Sequence, residues 1–298
     1  MGFIMLLMVM PLSASGDDFV YIRSDQTVIS FEKPFRSLAV ELQAIYPSIK
    51  SDLEKLTGWE IDFNPRFLLL AHSNFLSMIE TKSVVAFAIG QDYQIVIDSS
   101  RMNVSPFTLS VTAKHELAHL LLHHKINRTL LPRWLDEGFA QWASDGISEI
   151  ITGNRTFLTN AVIQRNLIPL HKIAHYFPEN ETQMILAYEE SKSLVEFINK
   201  EFGAGTLLNI LHHMADGDSI DDAVLTNLSI PLDALENLWH KDLTSRKIWF
   251  YYLSTYLYAI LFFLASVLAV IGFIRYRIRR KRWPEDEKSF PNGSSSDI

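Results

Sequence analysis

Apolar and polar positions recur with two different periods along this chain, and the change from one to the other divides it. Near the start, Phe19-Val-Tyr-Ile22 and Thr27-Val-Ile-Ser-Phe31 are short runs rich in β-branched and aromatic residues, separated by Ser24-Asp25-Gln26, and predict two strands with a polar turn. From Phe35 to Leu56 the period lengthens. Leu38, Leu42, Ile45, Ile49, Leu53 and Leu56 recur every three or four positions, predicting a helix that Pro47 kinks or divides. Phe67 to Ala71 is continuously apolar, as in a strand covered on both faces, and a short helix is expected over Ser73 to Glu80. Ala86 to Gly90 and Gln94 to Asp98 then pattern as a hairpin, either at the sheet edge or as an inner pair. Beyond it almost every segment has helical spacing. Ser105-Pro106 offers an N-cap and a first-turn proline to a strongly apolar helix, and a second helical pattern starts after Pro132. Helices are predicted over Asn160 to Leu170, Leu186 to Phe202, Gly205 to Met214, Ser219 to Leu225 and Leu232 to Leu243. Strands first and helices after make an α+β class.

The pattern changes once more at Ile248. From there to Ile274 no side chain is charged, which is long enough to cross a bilayer. Trp249, Tyr251, Tyr252, Tyr256 and Tyr258 crowd its first end, while Arg275, Arg277, Arg279, Arg280, Lys281 and Arg282 crowd its second. Interfacial aromatics and the positive-inside bias put the preceding domain outside the cell membrane and residues 275–298 in the cytoplasm as a basic tail. At the other terminus, the apolar run Phe3 to Leu12 is too short to span and is followed by small residues, so residues 1–16 are expected to be a signal peptide.

Composition narrows the chemistry. The 298-residue chain has no cysteine, which removes disulfide frameworks, thiol nucleophiles and Cys-ligated zinc. Its net charge is −7, and no basic patch outside the tail points to nucleic acid. What remains is carried by histidines and carboxylates. Lys114-His-Glu-Leu-Ala-His-Leu120 contains H-E-x-x-H on the apolar helix, and residues four apart share one helix face, so His115 and His119 can converge on one Zn²⁺. Glu116 adjoins them as the candidate general base. A third ligand is needed, and Glu137, near the start of the next helix in Leu131-Pro-Arg-Trp-Leu-Asp-Glu-Gly-Phe-Ala-Gln-Trp142, can return to the metal if the two helices are antiparallel. His123, one turn past His119, is read as an ordinary helix residue. His171 and His175 are also four apart but have no glutamate between them, and are read as structural or solvated.

H-E-L-A-H followed by W-L-D-E-G-F-A resembles the gluzincin metallopeptidases, and residues 17–245 as a whole resemble their membrane-associated, peptidase-MA-like members. The resemblance implies a zincin, thermolysin-like fold: a mixed sheet, the H-E-x-x-H helix and a C-terminal helical subdomain, here followed by one transmembrane helix at 248–274. It places the ligand on Glu137 rather than Asp136. Seventeen residues separate His119 from Glu137, slightly fewer than in relatives, which shortens the connecting loop. The implied activity is hydrolysis of peptide bonds in a peptide or protein substrate by a zinc-activated water, with Glu116 as base. In gluzincins an edge strand pairs with the extended substrate, and a tyrosine or histidine of the helical half supplies an oxyanion donor. Tyr188 is the positional match, with His171 and His175 next. The lack of a G-x-M-E-N-like segment argues against an aminopeptidase mode. The competing reading is an inactive zincin-fold binding module tethered at the membrane. The Asn103, Asn127 and Asn154 sequons carry meaning only in a eukaryotic secretory route.

Overall fold

The structure, a computed structural model, describes residues 19–79, 84–104, 106–145 and 156–281, with backbone alone at 156, 246–255 and 281. The proposed signal segment 1–16, Ser105, Asn154 and the tail beyond 281 lie outside the described residues, as do the side chains of Trp249, Tyr251 and Tyr252. The chain divides into two compact units, Met1–Leu243 and Thr244–Ile298.

The first unit is a mixed α+β body with one five-stranded sheet in the order β1-β2-β3-β5-β4. Strands β1 (Phe19–Arg23) and β2 (Val28–Glu32) form an antiparallel hairpin, and β2, β3 (Arg66–Leu70) and β5 (Gln94–Asp98) run parallel. Strand β4 (Ala86–Ile89) pairs antiparallel with β5 and lies at the sheet edge, which settles the alternative that sequence left open. Period-two side chains send Ile29, Phe31, Phe67, Leu69, Ile95 and Ile97 into the main core, while Leu70 and Val96 meet Phe75 of α2 (His72–Leu76) on the other face. The apolar runs of β3 and β5 are therefore covered on both sides.

Helix α1 (Arg36–Thr57) is unbroken, so the expected division at Pro47 does not occur. Pro47 sits on the exposed face, where solvent can serve the carbonyl one turn back, and the buried stripe is Ala39, Leu42, Tyr46, Ile49 and Leu53. The helix ends at Gly58, whose left-handed φ of 72° closes it. Helix α3 (Leu109–Lys125) starts three residues later than Ser105-Pro106 implied. Its N-cap is Thr108, which accepts from Val111 N at 3.3 Å, and the Leu109 N–H is taken by Asn103 Oδ1 at 3.1 Å. From Leu117 to Leu122 α3 is buried on every side.

The helical half contains α4 (Arg133–Ala143), α5 (Thr156–Gln164), α6 (Glu181–Phe202), α7 (Ala204–Ala215), α8 (Ile220–Leu228) and the start of α9 (Leu232–Lys281). The helix expected over Asn160 to Leu170 instead stops at Gln164, because Arg165 turns into a left-handed φ of 55° and the chain runs on to a single turn at Leu170–Lys172. Helix α6 begins five residues earlier than expected, at Glu181, under an Asn180 cap that accepts from Gln183 N. In the second unit, residues Tyr256–Arg280 of α9 form a helix long and apolar enough to cross a membrane. Its Phe262, Phe263, Leu268 and Phe273 are all exposed, as lipid-facing residues would be.

Candidate metal centre

Two consecutive helices build the site. On α3 the spacing of four brings His115 and His119 to one face, with ring nitrogens Nε2 and Nε2 only 3.1 Å apart. Helix α4 follows after residues 126–132, packs against α3 and delivers Glu137, whose Oε2 lies 3.5 Å from His119 Nε2 and 4.0 Å from His115 Nε2. All three side chains are buried. Glu137 Oε2 is itself buried and, among the described residues, makes no hydrogen bond.

These separations are compatible with donors that share one metal ion. Donors held about 2.1 Å from a tetrahedral ion lie about 3.4 Å from each other, close to the spacing found. Two facing imidazole nitrogens at 3.1 Å either repel as lone pairs or share one proton, and a cation between them removes that conflict. A second cluster, His119, His123 and Asp136, also joins two imidazoles to a carboxylate, but at different distances. Asp136 Oδ1 is 2.7 Å from His119 Nδ1, and its Oδ2 is 2.7 Å from His123 Nε2. Contacts this short are hydrogen bonds, too close for donors sharing one ion.

Asp136 therefore supports the centre from outside. Its carboxylate accepts from His119 Nδ1–H, which directs the Nε2 lone pair at Glu137 and His115. Electrostatics follow from this geometry. Burial lowers the proton affinity of His119, but the charges of Asp136 and Glu137 outweigh it and hold this histidine well above its ordinary pKa. Burial acts upward on Asp136, and the two histidines overcome it and pull its carboxyl far below the usual range. Bound metal has to displace the His119 proton, so affinity falls with falling pH.

The other carboxylate oxygen of Glu137 is also held. Glu137 Oε1 lies 3.1 Å from an Arg133 guanidinium nitrogen, and that guanidinium stacks 5.1 Å above the Phe177 ring. Tyr188, on α6, points its hydroxyl at the same Oε1 from 3.5 Å. Its ring is buried edge-on against Phe177 at 4.8 Å. Gln141 ties the two helices together: its Nε2 donates to the carbonyls of both Glu137 and Tyr188 at 3.2 Å. Glu116 is buried on α3 directly after His115.

His115, His119, Glu137 and Tyr188 thus gather in one place, with Glu116 next to His115 in α3. His171 and His175 do not join them: among the described residues no metal-compatible cluster includes either. They line an open cavity with Trp134, Leu170 and Glu236, and His175 also faces a smaller one with His123, Arg128 and Arg133. Sequence reasoning missed the supporting residues Asp136, Arg133, Gln141 and His123. Arg133 and Gln141 sit one turn before and after Glu137, so helix spacing could have flagged them. Asp136 and His123 could not be paired without the interhelix geometry.

Beside the centre, β4 packs along α3. Asp98 N donates to Val85 O, so the ladder directs residues 85, 87 and 89 toward β5 and leaves the backbone groups of Ala86 and Ala88 pointing off the edge. Ala86 is buried, whereas Ala88 is partly exposed.

A buried His-His-Glu group that could hold a metal ion, carried by two consecutive helices, thus lies in the half of the chain that follows the edge strand β4. A family model for the Peptidase MA superfamily matches residues 78–245, more than half of the chain, and the chain belongs to that superfamily. The match ends close to the boundary of the first compact unit. No curated protein matches the chain.

Proposed function

We propose that this protein is a membrane-anchored zinc metallopeptidase of the gluzincin type, with residues 17–245 as its peptidase domain and a thermolysin-like arrangement of sheet and helices. The observation that carries the reading is Glu137 Oε2, a buried carboxylate oxygen without a hydrogen bond among the described residues, 3.5 Å and 4.0 Å from two imidazole nitrogens that are 3.1 Å apart. His115, His119 and Glu137 would hold the ion, in a superfamily whose members are typically zinc-dependent. Zinc supplies a Lewis acid that lowers the pKa of water toward about 7 and polarises the scissile carbonyl.

The chain's own residues do the rest. Glu116 takes the proton of the attacking water and passes it to the leaving amine. Asp136 fixes the His119 ring, Arg133 orients the Glu137 carboxylate, and the Tyr188 hydroxyl donates to the oxyanion. An extended peptide pairs with the outward backbone groups at Ala88, so substrate selection is partly main-chain recognition.

Glu116→Gln tests this against the inactive binding module. Its amide cannot accept the water's proton, so zinc content stays stoichiometric while cleavage of a mixed peptide library disappears. A wild type that cleaves no better than Glu116→Gln would make the protein a binding module. Tyr188→Phe should lower kcat about a hundredfold, some 3 kcal/mol, with zinc content and substrate binding unchanged. Loss of melting temperature with kcat intact would assign Tyr188 to packing alone.

A further inference from the structure

His123 continues the spacing of His115 and His119 by one more turn of α3, yet its Nε2 faces Asp136 rather than the centre. The two oxygens of the Asp136 carboxylate are divided between two rings. Oδ1 lies 2.7 Å from His119 Nδ1 and Oδ2 lies 2.7 Å from His123 Nε2. An ionised carboxylate can only accept, so both facing nitrogens carry protons, and Nε2 is the His119 nitrogen left to meet an ion. A carboxylate gripped at one oxygen can still rotate about its last torsion. Gripped at both, its plane is fixed, and the His119 ring is fixed with it.

The surroundings of His123 favour this role over simple packing. The side chain is only 13% exposed, and its Nδ1 is buried with no hydrogen-bond partner, so its one hydrogen bond among the described residues runs to Asp136. A position needed only for packing gains nothing from a half-satisfied imidazole, and α3 places leucine at the three preceding positions. His124, next in sequence, serves a different partner set: it bonds the Tyr93 hydroxyl at 2.8 Å and Asp62 at 2.8 Å, on the side of the β4–β5 turn.

We propose that His123 is a positioning residue of the metal centre, acting through Asp136 to hold His119 in the orientation and tautomer that present Nε2 to the ion. The inference rests on the zinc-peptidase reading. The test uses the full chain in detergent and compares His123→Leu, His123→Asn and His123→Gln, with wild-type Asp136 and with Asp136→Asn. Leu has no donor, Asn is too short to reach, and Gln can still donate. Zinc affinity is measured by competition with a chromophoric chelator, ligand geometry by the visible bands of the cobalt(II)-substituted protein, and stability by melting of the metal-free form. His123→Leu and His123→Asn should weaken zinc binding about tenfold to a hundredfold and shift the cobalt bands, while His123→Gln restores most of both and metal-free melting stays level. In the Asp136→Asn background the same changes should cost little more. Should His123→Leu fail to fold, His123→Asn carries the same comparison. Wild-type zinc affinity in His123→Leu and His123→Asn, or an equal loss in both Asp136 backgrounds, overturns the inference while leaving the peptidase standing. A wild type that takes up no zinc overturns the function and the inference together.

Discussion

At position 138 a methyl group would fall 2.4 Å from the backbone carbonyl oxygen of Ser191 and 2.8 Å from a Val195 methyl. Only glycine lets α4 approach the α6 backbone this closely, so the Gly in W-L-D-E-G-F-A is required by packing next to the ligand. Gly138→Ala should force the helices apart at a cost of about 1–3 kcal/mol and weaken zinc binding by displacing Glu137; calorimetry of the metal-free and zinc-loaded forms reads both. An unchanged melting temperature would mean that α6 gives way without strain. Two residues along α6 from Tyr188, Glu190 is fully buried and its Oε1 accepts from Ile168 N at 3.0 Å. Burial pushes its pKa up to about 8; the Ile168 bond opposes this, and the charges of Glu236 and Glu189 add to it. The folded chain keeps this proton up to about pH 8, whereas the unfolded chain releases it near 4.5, so the folded state loses stability as pH rises between those values. Glu190→Gln keeps the acceptor without the charge. It should flatten that decline, melting above wild type at pH 8 with a smaller difference at pH 5; parallel melting curves across the range would refute this.

The α3–α4 hairpin was legible before any coordinates because its chemistry is written in local spacing. H-E-x-x-H puts two histidines on one helix face, and a proline-started second helix brings Glu137 within reach of them. What sequence could not give is the outer ring of contacts. Asp136 reads as the residue beside the ligand, and its use as a brace for His119 depends on the interhelix angle. The helical half shows the same limit. Its periodicity located α6, α7 and α8, but the end of α5 depends on one residue, Arg165, adopting a left-handed backbone that its side chain does not announce. Strand β4 is the opposite case: a four-residue apolar run could sit anywhere in a sheet, and only its partners place it at the edge.

At the scale of the whole chain, the span Tyr256–Arg280 ends in Arg275, Arg277, Arg279 and Arg280. Positive charge on one flank predicts that protease added to intact cells or spheroplasts digests the metal domain and leaves the C-terminal tail protected. Protection of the metal domain with loss of the tail would reverse the orientation.

The proposed ligands His115, His119 and Glu137 and their proposed braces Asp136 and His123 all fall within one stretch of chain, whereas Tyr188 arrives from α6. That locality sets an order of events when the chain emerges and folds. Closing the short connection between α3 and α4 costs little entropy, and a captured ion can staple the two helices before the strands have paired or α6 has docked. Contacts of high sequence separation form later, and Gly138 is where they arrive. Zinc would then act first as a folding nucleus, and the oxyanion donor would be the last part to be installed, so a chain that has captured its ion stays inert until the helical half closes over it.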